Sequence, residues 1–315
     1  DTHLYIAVRR PDGYVGKPAE VGTDAFAMSM GSSANNFTPS FISGWPVDTG
    51  IMRNPTGSSE WYTHSRLTGQ RYVETNTTDA EASAGTNCIW DSMTGFFKNQ
   101  GSNVQGWMWK RHAGMDVVCY IGKGGTLAAY AHSLGKIPEM IWVKRRDGGN
   151  PWSVYHKGLN GGSNPEGYGV QLNTSAAEAA SSSRWGNTAP TSTHFFAGGN
   201  TGTNNADSTY IAMLFASVEG ICKVGYYTGT GSTQTITTGF QPRFAIIKRV
   251  NTAQHWYVFD TTRGWTSGND QYIKLDLTDA QAAADLGEPI STGFQVGSDP
   301  TVGANGDKYI YYAHA

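Results

Sequence analysis

The chain repeats itself about every hundred residues, and no other feature limits its fold so strongly. Three landmarks carry the period. The first is a Tyr-x-Gly-x-Gly turn followed by a polar stretch, a proline, five mostly apolar residues and Lys-Arg. It occurs in YIGKGGTLAAYAHSLGKIPEMIWVKRR, from Tyr120, and in YYTGTGSTQTITTGFQPRFAIIKRV, from Tyr226, with Pro138 to Lys144 and Pro242 to Lys248 equally spaced. A tryptophan, Trp152 or Trp256, follows each. The second landmark occurs three times, as NTTDAEAS (76–83), NTSAAEAA (173–180) and DLTDAQAA (276–283). The third is TGFFK at Thr94, THFFA at Thr193 and TGFQV at Thr292, each 99 residues after the last. Each leads through a Gly/Asn-rich loop into a closing strand: VQGWMWKRHAG, YIAMLFASVEG or YIYYAHA. Self-similarity at a fixed period is the mark of a repeat architecture. A unit of this size with several short strands suits a small β-sandwich.

The units fall at 14–114, 115–220 and 221–315. The first is the most divergent: it lacks the Tyr-x-Gly-x-Gly turn, only Arg53 keeps the basic end of its Lys-Arg strand, and Trp61 stands for Trp152 and Trp256. Residues 1–13 read as a closing strand over Leu4, Tyr5, Ile6, Ala7 and Val8, broken by Arg9-Arg10-Pro11-Asp12-Gly13. That segment fits the last strand of a preceding repeat, or a strand that pairs with a neighbouring chain. The second landmark holds Thr78 with Glu81, Ser175 with Glu178 and Thr278 with Gln281, the spacing of a capping box. It predicts one short helix in each unit.

Composition agrees with an all-β class. Glycine (40), tyrosine (16) and tryptophan (10) are abundant, and Ser, Thr and Asn fill long stretches between strand-like runs, as in sandwiches and barrels. Lys and Arg (23) nearly balance Asp and Glu (25), so no basic surplus points to nucleic acid. No apolar run approaches the ~18 residues of a membrane-spanning helix. Cys88, Cys119 and Cys222 are odd in number and lack metal-ligand spacing, which predicts buried small hydrophobes and no metal.

Catalytic motifs are not evident. Gly122-Lys123-Gly124 and Gly229-Thr230-Gly231 begin like a dinucleotide fingerprint, but Leu127 and Gln234 stand where its third glycine belongs. They predict hairpin turns, and no cofactor. His64, His156 and Asp260 fall together when the units are overlaid; a changing residue type at one position predicts surface drift, and the other histidines form no ligand pair. The loops GGNTGTNNADS and GSDPTVGANGDK carry oxygens that calcium uses, although turn chemistry explains them. Trp61, Trp152 and Trp256 recur at one position and predict core, as does Trp142 inside MIWV. Trp45, Trp185 and Trp265 lie in turn-rich segments; they are the tryptophans expected to be more exposed and the candidates for contact with sugar rings, although ordinary packing beneath a loop is the favoured reading even there. Asn36, Asn76 and Asn173 form glycosylation sequons that an Asn- and Thr-rich chain produces by chance.

The succession RRPDGYVGKP, GTDAFAM, VVCYIGKGG, PEMIWVKRR, NTAPTSTHF, YIAMLFASVEGICKVGYYTGTGSTQTI, GFQPRFAIIKR and YIYYAHA resembles the tandem β-rich repeats of large virion proteins of tailed phages of marine bacteria, cyanophages included. Such proteins are usually called tail fibres or structural proteins. The resemblance covers nearly all of 100–315 and supplies no catalytic or ligand residues.

The sequence therefore predicts a non-enzymatic structural or adhesion segment of a virion appendage, built as a rod of sandwiches. Its partners are other virion proteins or copies of itself, as a trimer or filament, and a host-surface glycan, with no nucleic acid and no membrane insertion. One alternative is a filament or capsid-decoration protein joined by strand exchange through residues 1–13. Another is a polysaccharide depolymerase using paired acids among Glu139, Asp260 and Asp270.

Overall fold

A computed structural model of the chain describes residues 19, 21–32, 39–98 and 103–315. The strand expected over Leu4, Tyr5, Ile6, Ala7 and Val8, and the sequon Asn36, lie outside the described residues.

The protein is all-β and built from three repeated units. Each unit folds one antiparallel six-stranded sheet from its own stretch of chain. In the second unit the strand order is Met115–Ile121, Thr209–Phe215, Met140–Arg145, Ser153–His156, Tyr168–Gln171, Ala179–Ala180. The third repeats it as Cys222–Thr228, Lys308–His314, Phe244–Arg249, Trp256–Asp260, Asp270–Lys274, Ala282–Ala284. The first does so as Phe26–Met30, Gln105–Trp109, Thr49–Arg53, Tyr62–Ser65, Arg71–Glu74, Ala82–Ser83. All three sheets thus take the closing strand from their own unit and seat it second in the order. A smaller sheet covers the outer face of each; in the second unit it pairs Leu127–Ala131 with His194–Gly198.

The Lys-Arg strands are nearly all apolar because both of their faces are covered. Side chains alternate along a strand, so Met140 and Trp142 enter one core while Ile141 and Val143 enter another. The same split sends Phe244 and Ile246 one way and Ala245 and Ile247 the other. The outer cores belong to single units. The inner core is common to all three and holds Trp61, Trp107, Trp142, Trp152 and Trp256. Each such buried side chain contributes about 2–3 kcal/mol. The expected rod is therefore corrected: the three units wrap around one shared core and are not strung end to end.

The helices predicted at the capping-box segments are absent as well. Residues 77–81, 175–178 and 278–281 are irregular, and Ala82–Ser83, Ala179–Ala180 and Ala282–Ala284 continue as sixth strands. The described α-helices, Ser182–Trp185 and Thr201–Asn204, both lie elsewhere in the second unit. The Gly-rich turns are not hairpins either. Each leads from a first strand in the large sheet to a strand in the small one. Glycine is needed there because a Cβ at Gly122 would lie 2.0 Å from the Asn205 carbonyl oxygen, and one at Gly229 2.2 Å from that of Ala304.

Candidate functional site

The capping-box segments are straps that join the units. Their first residue accepts the backbone amide of its own unit's tryptophan: Asn76 from Trp61 at 3.0 Å, Asn173 from Trp152 at 2.9 Å, Asp276 from Trp256 at 3.1 Å. The sequon asparagines Asn76 and Asn173 thus have internal work. The strap then lies on the next unit. The amides of Glu81, Glu178 and Gln281 donate to the carbonyls of Arg146, Val250 and Pro55. Tryptophans answer in the same direction. The indole N–H of Trp152 reaches Glu74, that of Trp256 reaches Gln171, and that of Trp61 reaches Lys274. First to second, second to third and third to first, the contacts close a cycle.

Three buried cations lock the straps. Lys144 donates to the carbonyls of Thr78 at 3.0 Å and Asn150 at 2.9 Å. Lys248 donates to those of Ser175 and Gln254, and Arg53 to those of Leu277 and Asp279. Burial pulls the lysines down to about 8 and Arg53 to about 10. A buried cation is tolerated only when such acceptors surround it.

At the point where each unit begins, a first-strand residue pairs with a closing-strand residue beside it in the sheet, on the inner-core side. In the first unit the pair is Phe26 with Trp109, and in the second Met115 with Phe215. In the third it is Cys222 with His314. His112, from the link between the first two units, joins them, where Val218 stands in the next link. One ligand atom from each of His112, Cys222 and His314 lies within 4.8 Å of the others, and all three residues are buried. The His314 Nδ1–H donates to the Ala315 carbonyl, leaving a lone pair on Nε2. His112 Nδ1 accepts the Gly114 amide. Both Nε2 atoms are buried without a partner. Burial holds His112 down to about 4 and His314 to about 3, so both rings are neutral at pH 7, and pushes the Cys222 thiol up to about 12. The expectation that the histidines are scattered is corrected: the fold brings His112 and His314 together with Cys222, a meeting that spacing rules do not see.

The other predicted positions fall as follows. Trp185 (2% exposed), Trp265 (3%) and Trp45 (9%) are buried, which corrects their expected exposure as sugar-contact candidates and agrees with packing beneath a loop. Trp265 packs on Phe259 and Phe294, Trp185 on Tyr155, and Trp45 donates its indole N–H to the Thr23 carbonyl. Turn-rich chain lies over these rings because each closes the end of an outer core. His64, His156 and Asp260 are fully buried, so their variation is not surface drift. Strand register makes Ser65, not His64, the counterpart of His156 and Asp260. His156 meets the Tyr311 carbonyl, and Asp260 accepts the indole N–H of Trp107, each across a unit boundary. Cys88 and Cys222 are buried as expected, while Cys119 is half-buried. Among the described residues no helix is long and apolar enough to cross a membrane.

Fold and site together define a closed all-β protein of three cyclically strapped units, with a His–Cys–His cluster where the third unit meets the first link. Residues 99–315 match the DUF7483 family, described as a domain of unknown function, and the chain belongs to that family. No curated protein matches it.

Proposed function

We propose that the chain is a non-enzymatic structural and adhesion segment of a phage tail fibre or related virion appendage. The observation that carries this reading is the cycle of straps: the buried cations Arg53, Lys144 and Lys248 all serve contacts between units. A body locked in this way resists the mechanical load that an appendage bears. The three acids weighed for a depolymerase have structural partners. Asp260 holds Arg263 and Trp107, Asp270 accepts the amides of Thr266, Leu286 and Gly287, and Glu139 holds Lys157 and Ser217. The resemblance to virion repeats points the same way. A closed body of this kind suits a compact module on an appendage better than a shaft. With Trp45, Trp185 and Trp265 inside, contact with host glycan falls to the surface loops.

Proteomics and immunogold microscopy of phage particles that encode the chain test the reading. We expect the chain in purified particles at a fixed copy number, with gold at the tail or another appendage. Its absence from particles, or release of new sugar reducing ends from host polysaccharide by the purified chain, overturns the proposal.

A further inference from the structure

We propose that His112, Cys222 and His314 form a zinc site that ties the start and end of the third unit to the link between the first two. Two imidazoles and a thiolate are a donor set that zinc prefers. Packing does not call for these residues. The equivalent pairs, Phe26 with Trp109 and Met115 with Phe215, fill the inner core with apolar groups, and Val218 takes the place of His112. A polar trio at positions that are apolar elsewhere in the same chain leaves two buried Nε2 atoms unpartnered, which destabilises the empty site. A bound ion removes that destabilisation. Gly114 lets the backbone pass close against the trio, since a Cβ there would lie 2.5 Å from Cys222 Sγ and 2.6 Å from His112 Cε1.

Loading balances simply. The Cys222 thiol gives one proton to solvent as the Zn–S bond forms. His314 ligates through the Nε2 lone pair already present. In the empty site the amide of Gly114 on Nδ1 keeps the His112 proton on Nε2. On loading that proton moves to Nδ1, and the Gly114 amide turns away. Three protein ligands leave a tetrahedral ion one position for water.

The test uses the full chain stripped of metal, then loaded with Zn2+ or Co2+ both in the native state and during refolding, so that burial does not block entry. We expect one equivalent to bind and one proton to be released. Co2+ gives the intense visible bands of four-coordination and a thiolate charge-transfer band. Cys222→Ser removes the thiolate band, His314→Gln weakens binding by roughly 100-fold, and Cys88→Ser and Cys119→Ser leave both unchanged. The double variant Cys222→Met/His314→Phe copies the pair of the second unit; it is expected to fold and to bind no ion. Failure to bind under either loading, a Co2+ spectrum without the thiolate band, or undiminished binding by the double variant overturns the site. The wild-type spectrum decides the matter even where a variant does not fold.

Discussion

The indole N–H of Trp152 donates to the backbone carbonyl of Glu74 at 2.7 Å, joining the second unit to the first. Trp152 is fully buried and its own amide is held by Asn173, so the ring is fixed before it reaches across. Trp256 repeats the arrangement on Gln171 and Trp61 on Lys274. A tryptophan in this position supplies apolar area to the shared core and closes a carbonyl that the strand ladder leaves open.

Replacing Trp152 by Phe keeps most of that apolar area and removes the donor. The half-buried Glu74 carbonyl then loses its partner, at a cost of about 1–3 kcal/mol. Urea unfolding of Trp152→Phe and Trp256→Phe is expected to show losses of this size. A loss near zero would mean that water satisfies the carbonyl.

Because the inner core belongs to all three units, the described body is expected to unfold in one transition. Calorimetric and van't Hoff enthalpies should agree. Residues 115–220 expressed alone expose Met140, Trp142, Trp152 and Met213, and are expected to aggregate or stay unfolded. A soluble, cooperatively folded fragment would show that the units are independent after all.

Acid should weaken the fold early. Burial holds His64 and His156 down to about 3 in the folded chain, against an ordinary value of 6.5. Below pH 6.5 the unfolded chain therefore takes up protons that the folded chain refuses. Stability is complete above that pH and falls as pH drops towards 3, by about 1.4 kcal/mol per pH unit for each histidine. Urea midpoints between pH 6.5 and 5 measure the slope. His112 and His314 are held down in the same way, so His156→Gln is expected to remove about a quarter of it.

Trp185 and Trp265 close the outer cores of their units, so their truncation is expected to act on stability. Trp185→Ala and Trp265→Ala should each cost about 3–5 kcal/mol. A glycan-array signal lost in either variant without a change in stability would restore them as sugar platforms.

The sequence by itself determined the period, the all-β class, the core role of Trp61, Trp142, Trp152 and Trp256, and the equivalence of Arg53 with Lys144 and Lys248. These follow from turn residues and from apolar runs along a strand, which are local properties. Tertiary structure decided the rest. Thr78 with Glu81 satisfies the helix-capping pattern on paper, yet the strap turns its polar groups to Lys144 and Arg146 of the next unit. A backbone carbonyl or amide accepts either solution, and only the neighbouring unit selects between them. The missing apolar periodicity after each tetrad was the one local sign against a helix. Strand register likewise replaced His64 by Ser65, since a shift of one residue turns a side chain to the opposite face. The burial of Trp45, Trp185 and Trp265, the closure of the units into a cycle and the meeting of His112, Cys222 and His314 depend on residues far apart in the chain. Spacing along a sequence carries no record of such meetings, because the shared core that brings them about is built from residues of all three units.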